Sequence, residues 1–322
     1  MKRVILTGAS GFVGANLTRT LLREGHDVHL LLREAGDHWR LRDIAGDVVT
    51  HFVDLADAAA VDAVVSRVHA DWVFHLAAYG AYAFQTDARR MVDTNVLGTI
   101  NLVEACARTG CDAFVNTGSS SEYGFTSRAA EETDLLVPNS SYAVTKAAAT
   151  HYCHYVAQRE GLHLITLRLY SIYGSFEDPG RLMPRLVAHG LLGKLPPLVN
   201  PEIARDFVYV TDASRAYLLA ARSDRESRGE IYNIGTGIQT SLRELVELAR
   251  AIFPISVEPT WGSMPDRQWD SSIWVANTSK AAHELGWRPT VDLKEGLERF
   301  AAWLQDDPAA GGRYVPTPGV SQ

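Results

Sequence analysis

Short apolar runs alternate along this chain with stretches in which apolar residues recur every three or four positions. Val4-Ile5-Leu6, Val28–Leu32, Val48–Val53, Trp72–Leu76, Ala113–Thr117 and Leu162–Leu169 read as buried strands. Between them, Ala15–Glu24 carries Leu17, Leu21 and Leu22 at helical spacing, and Ala58–Val68, Met91–Arg108 and Tyr142–Glu160 read as helices. Strands joined through helices predict an α/β fold with a doubly wound parallel sheet. After Tyr170 the rhythm changes. Pro179-Gly180, Pro184, Pro196-Pro197 and Pro201 punctuate shorter elements. These are strands at Asp206–Val210 and Ile231–Ile234 and helices at Ala213–Arg222, Leu242–Ile252 and Leu293–Leu304. The pattern predicts a larger lobe over residues 1–170 and a smaller α/β lobe over 171–305, with a soft, possibly interleaved boundary. Residues 306–322 read as a flexible tail.

Between the first strand and the first helix lies Thr7-Gly8-Ala9-Ser10-Gly11-Phe12-Val13-Gly14. A strand, a glycine turn and a helix start together form a phosphate site. Gly8 suits the tight turn, Gly11 lets backbone approach a pyrophosphate, and Gly14 lets the helix pack on the strand. The free N–H groups and the positive end of the helix dipole then face the anion. The larger lobe is therefore expected to be a dinucleotide-binding Rossmann-type domain. The loops Asp54-Leu55, His75–Tyr79 and Thr117–Tyr123 also follow strands, so they are expected to line one crevice with the glycine loop.

Composition changes this picture little. Hydrophobic residues make up 46% of 322, enough for a sizeable core, and a net charge of −7 argues against nucleic acid as the main partner. The first apolar run is too short for a signal peptide, and no apolar stretch approaches the roughly 18 residues a membrane span needs. Cys106, Cys111 and Cys153 have no metal-ligand spacing, and an odd number of thiols fits a reducing, cytoplasmic location.

Seven short motifs occur in order, and together the sequence resembles the extended short-chain dehydrogenase/reductases of the nucleotide-sugar epimerase/dehydratase type. Thr7–Gly14 is similar to that family's TGxxGFxG, Asp54-Leu55 to its acidic residue after the third strand, and His75-Leu76-Ala77-Ala78 to HxAA. Asn95–Thr99 is similar to NxxGT, Tyr142–Lys146 to YxxxK, Arg205–Val210 to RDFxYV, and Leu285–Pro289 to LGWxP. The resemblance implies that Gly8, Ser10, Gly11, Phe12, Val13, Gly14, Asp54, Leu55, Leu76, Ala77, Ala78, Asn95, Thr117, Tyr142 and Lys146 hold a nicotinamide cofactor.

Tyr142 and Lys146 also stand on their own chemistry. Residues four apart share a helical face, and an ammonium near a phenol favours phenolate, so Tyr142 is expected to exchange a proton with a sugar hydroxyl near neutral pH. The resemblance adds a Ser or Thr in Thr117–Gly124 that binds the reacting hydroxyl: Ser120 is the choice, with Ser119 and Ser121 as alternatives. Glu122 is either an extra catalytic acid/base or a carboxylate capping the loop. Arg181, Arg205 and Arg267 are expected on the nucleotide diphosphate, which suits their bidentate forks, and Tyr79, Ser119 and Ser171 on the rest of the substrate. Ser171 stands where the family usually has Asn.

At the end of the second strand Leu32 occupies the place of the family's ribose-binding acid, and Arg33 follows it. An arginine there can pair with a 2′-phosphate, so NADP(H) is expected over NAD(H), with Glu34 as the residue that could restore NAD. The expected activity is redox chemistry at sugar C4 by an epimerase, dehydratase or decarboxylase. The alternatives are an NADPH-dependent 4-ketosugar reductase and a non-catalytic dinucleotide sensor. A homodimer is expected through the Met91–Arg108 and Tyr142-bearing helices, on a surface of Ala147, Ala148, Ala149, Tyr152 and Tyr155.

Overall fold

The computed structural model describes residues 1–223, 228–264, 272–307 and 312–314. The chain opens with β1 (Arg3–Thr7), α1 (Phe12–Arg23) and β2 (Asp27–Leu32). A 3-10 segment at Trp39–Ile44 leads to β3 (Val49–Phe52), α2 (Ala58–Val68) and β4 (Trp72–His75). Next come α3 (Ala88–Met91), α4 (Gly98–Thr109), β5 (Ala113–Ser119), α5 (Ser141–Glu160) and β6 (Leu164–Leu169). The remaining elements are β7 (Ser171–Tyr173), α6 (Leu182–Leu191), β8 (Ala204–Arg205), β9 (Phe207–Tyr209) and α7 (Val210–Arg222). β10 (Glu230–Ile234), β11 (Thr240–Ser241), α8 (Leu242–Ile252), α9 (Ser279–Glu284) and α10 (Leu293–Asp306) follow.

Seven strands form one parallel sheet in the order β10-β6-β5-β4-β1-β2-β3. The strands are apolar because both faces are covered: Ile5, Leu6, Leu30, Phe74 and Phe114 are fully buried. Burying each such side chain contributes about 1.5–3 kcal/mol. The chain runs outward from β1 to β3, then crosses back to start β4 beside β1. Such a switch point opens a crevice at the carboxyl ends of the strands.

β10 pairs with β6 in this sheet, with Glu230 opposite Ile165, although it follows β7–β9 in the chain. One core therefore joins β1, β2 and β4 to Val208, Tyr217, Tyr232 and Trp287, while a second gathers Leu186, Val187, Leu245, Leu297 and Phe300. Tyr314, in the expected tail, is buried in that second core. The rest of the tail, 308–311 and 315–322, lies outside the described residues.

The expected Met91–Arg108 helix differs most from its prediction. Residues Val92–Leu97 form a π-helical turn between α3 and α4. The turn widens the helix by one residue, which leaves the apolar pattern readable as continuous helix. No described helix is long and apolar enough to cross a membrane.

Candidate active site

The glycine loop meets the loop after β4 at the switch point. Gly8 has a φ of +74°, and a Cβ there would lie 2.5 Å from the Leu76 carbonyl carbon. At Gly14 a Cβ would lie 2.2 Å from the Gly8 carbonyl oxygen. Both positions therefore exclude a side chain. Gly11 is the N-cap of α1 and offers no side-chain cap, so the first N–H groups of α1 face outward without such a partner. This cradle fits a pyrophosphate. Ser10 gives its carbonyl to Arg40 Nη1 at 3.3 Å, and Phe12 and Val13 are half-buried at the helix start.

A buried chain of hydrogen bonds runs from this loop to α5. Thr99 Oγ1 donates to the Asn95 carbonyl at 2.6 Å, so it accepts from His75 Nε2 at 2.9 Å. His75 Nδ1 then accepts from Thr7 Oγ1 at 2.7 Å. Burial pushes the His75 pKa down to about 3, with the Lys146 charge acting in the same sense, so the ring stays neutral as this pattern requires. Asn95 Nδ2 donates to the Tyr79 carbonyl at 2.8 Å and to Thr145 Oγ1 at 2.9 Å, and its Oδ1 accepts from Tyr79 N–H at 2.8 Å. The amide of Asn95 is thus committed to protein, and its share in the site is to fix the Tyr79 backbone and α5. The π turn carries it there. Leu55 packs on Gly98 at the start of α4, and its carbonyl accepts from Asn101 Nδ2 at 2.8 Å. Asp54 is exposed and caps the turn by accepting from Ala56 N–H at 3.0 Å.

Tyr142 and Lys146 lie on the first two turns of α5, whose N-cap Ser140 accepts from Ala143 N–H. The hydroxyl that acts on the Tyr142 phenol is that of Ser119, which draws its pKa down against burial. Ser120, the expected choice, lines a small cleft with Tyr123, Thr126, Tyr170 and Trp274. The reason is register. β5 continues to Ser119, two residues beyond its expected end, and a 3-10 turn at Ser120–Tyr123 swings Ser120 away.

Glu122 lies in the same 3-10 turn. It is fully buried, with Oε1 accepting from Ser119 N–H at 2.8 Å and Thr150 Oγ1 at 3.1 Å, and Oε2 accepting from Arg168 Nε at 2.8 Å. It closes a capping box with Ser119, the loop-capping arrangement. Arg168, which sequence reasoning passed over, also donates from Nη1 to Tyr123 Oη at 2.9 Å.

Burial pushes the Tyr142 phenol up to about 12, with the Ser119 hydroxyl opposing it and the Glu122 charge adding to it. Burial pulls Lys146 down, with Glu122 opposing. Desolvation of a buried anion is thus the largest influence on this phenol. Lys146 is 2% exposed and makes no hydrogen bond or ion pair with another described residue. A buried ammonium of this kind fits an oxygen-rich ligand, as the glycine cradle fits a pyrophosphate.

Other expected residues are spread around the crevice. Leu76 and Ala77 are half-buried behind Gly8, and Ala78 is exposed beside them. Thr117 shares a 2.6 Å hydrogen bond with Tyr217 on α7. Ser171 starts β7, its N–H donating to the Asp206 carbonyl at 3.0 Å. Arg181 Nη1 donates to the Ala81 carbonyl at 3.3 Å, and Arg205 stacks on Trp274 at 5.2 Å. Arg267 lies outside the described residues. Arg33 and Glu34 are both exposed past the end of β2. The RDFxYV and LGWxP motifs prove partly scaffolding: Asp206 accepts from the N–H groups of Thr236, Gly237 and Ala276, and Trp287 Nε1 donates to the Asp212 carbonyl at 2.9 Å.

A family profile described as the NAD dependent epimerase/dehydratase family matches residues 4–235. A dTDP-glucose 4,6-dehydratase of Streptomyces antibioticus is 31% identical over 95% of this chain and 93% of its own. UDP-glucuronate 4-epimerase 3 of Arabidopsis thaliana is 30% identical over 93% of this chain and 76% of its own. The structure of Thermus thermophilus UDP-glucose 4-epimerase in complex with NAD aligns with a TM-score of 0.83 and 30% identity, covering 94% of this chain and 98% of that one. The expected preference for NADP(H) finds no support among these relatives, which point to NAD. By this profile match and these relatives, together with its sheet order and glycine cradle, the chain belongs to the NAD-dependent epimerase/dehydratase family.

Proposed function

We propose that this enzyme epimerises a nucleoside-diphosphate sugar at C4. The observation that carries the reading is Tyr142 and Lys146 one turn apart on α5, with the Ser119 hydroxyl acting on the Tyr142 phenol. Ser119 orients the C4 hydroxyl, and Tyr142 takes its proton and later returns it. Lys146 holds positive charge below the phenol and steadies the anion that forms there. Bound nicotinamide supplies hydride acceptance and return at C4 and, when oxidised, a positive charge near the phenol. Gly8, Gly11 and the start of α1 hold the cofactor pyrophosphate. Arg181 and Arg205 bind the substrate diphosphate.

Epimerisation is favoured over 4,6-dehydration by Glu122. Dehydration needs a further acid/base pair to move a proton from C5 and expel the C6 hydroxyl, whereas the loop carboxylate is sealed against Arg168. Incubation with UDP-glucose, UDP-glucuronic acid and dTDP-glucose tests this. An unchanged mass with an altered sugar supports it, and loss of water from the product overturns it in favour of a dehydratase.

We take NAD(H) as the working cofactor and propose that Arg33 admits NADP(H) as well, since no carboxylate at Leu32 repels a 2′-phosphate. Arg33→Ala then weakens NADP binding about tenfold more than NAD binding. Equal losses contradict the role. We also propose a homodimer through α4 and α5. Ala147 and Ala149 face the sheet and leave that surface, while Leu97, Val144, Ala148 and Tyr155 remain exposed on it. A scattering mass of one 35.4 kDa chain would refute the dimer. The three free thiols support a cytoplasmic setting.

A further inference from the structure

The turn between β7 and α6 buries a carboxyl that the mechanism above does not use. Glu177 is 5% exposed, and its Oε2 is buried with no hydrogen-bond partner. Its Oε1 lies 3.6 Å from Arg181 Nε. The turn that holds it is over-determined. Phe176 sits at a φ of +70°, unusual for a residue with a side chain. Its carbonyl accepts from Arg40 Nε at 2.6 Å, and its ring lies under Arg19 at 4.0 Å and against Trp303 at 4.8 Å. Asn16 Nδ2 donates to the Ser175 carbonyl at 2.8 Å, and the Tyr314 hydroxyl donates to the Glu177 carbonyl at 2.5 Å. Glu177 cannot swing into water without breaking these contacts.

Arg181 is the residue this carboxyl meets, and Arg181 reaches the active site. It bonds the Ala81 carbonyl and lies 5.7 Å from the Tyr82 ring. Its charge is felt at the Tyr142 phenol, as is that of Tyr82. We propose that Glu177 is a positioning residue that sets how much of the Arg181 charge an anionic substrate meets. In its acid form Glu177 leaves the full guanidinium charge to the substrate diphosphate. In its carboxylate form it draws the guanidinium back and cancels that charge. The inference rests on the reading of Arg181 as a diphosphate ligand.

Burial pushes Glu177 up to about 8, with the Arg181 charge opposing and Asp178 adding to the rise. The other charged and titratable groups around the turn are Arg40 from the 3-10 segment, Arg19 from α1, Tyr82 from the loop after β4, Tyr173 from β7 and Tyr314 from the C-terminal turn. Tyr82 and Tyr314 are held above their ordinary range by burial, so Glu177 is the group that changes charge just above neutral pH.

The test is calorimetric binding of UDP-glucose and dTDP-glucose to NAD-loaded protein at about pH 7 and about pH 9, an interval in which phosphodiesters do not titrate. The native protein should lose about fivefold in affinity between the two, and Glu177→Gln less than twofold. Arg181→Gln should bind weakly at both. If Glu177→Gln keeps the native pH step while Arg181→Gln binds weakly, the inference fails and the Arg181 reading stands. If Arg181→Gln binds as the native protein does, the Arg181 reading fails and takes the inference with it.

Discussion

Burial acts on the two ionisable groups of α5 in opposite senses. It raises the Tyr142 phenol to about 12 and lowers the Lys146 ammonium. At neutral pH the free enzyme therefore holds Tyr142 as a phenol, ready to donate. Accepting a proton requires a positive charge beside it, which oxidised cofactor brings. Ser119 is proposed as the other partner in this exchange. Ser119→Ala should lower kcat by about 10²- to 10³-fold, while Ser120→Ala should stay within about tenfold of native. Steady-state kinetics on the two variants checks this, and the reverse order would restore Ser120. Tyr142 and Lys146 were legible because spacing alone puts them on one helical face. Ser119 was not, because the end of β5, two residues beyond its expected place, decides which of three adjacent serines stays on the strand.

At the scale of elements, conserving a fixed geometry falls to the π turn and its Asn95. Three hydrogen bonds from one buried amide tie the loop after β4 to the catalytic helix. Asn95→Ala leaves the Tyr79 backbone groups and Thr145 short of partners. It should cost about 2–4 kcal/mol and reduce kcat even where the protein is folded. Urea unfolding and kinetics measure both, and a cost under about 0.5 kcal/mol would show that the clasp is dispensable. The strands of the sheet and the helices α2 and α8 were readable from apolar runs and periodicity. The π turn was not, since one extra residue per turn leaves such a pattern intact. β8 and β11 were missed because two-residue strands carry no periodicity at all.

Across the whole molecule, one buried acid makes stability depend on pH. The pKa of Glu177 is raised in the folded state from an ordinary 4.5 to about 8, so the folded chain binds more protons between those values. Its stabilising contribution is complete below the ordinary value and is lost as pH rises through the folded one. Glu177→Gln removes that loss. Its melting temperature should exceed the native one by about 3 °C or more near pH 8.5, with the gap closing near pH 4.5. A gap independent of pH would contradict this. Strand–helix alternation made the parallel sheet legible, and the glycine loop located its ligand end. The return of β10 to that sheet was harder to see, because adjacency in space there overrides adjacency in sequence.

Tyr142 is proposed as the proton-exchanging group of this nucleotide-sugar enzyme. Its most direct test compares the native protein with Tyr142→Phe, both loaded with NAD, for turnover of the nucleotide sugar the native protein converts. The account predicts unchanged cofactor binding and a kcat lower by about 10³-fold or more. Turnover by Tyr142→Phe within about tenfold of native would contradict it.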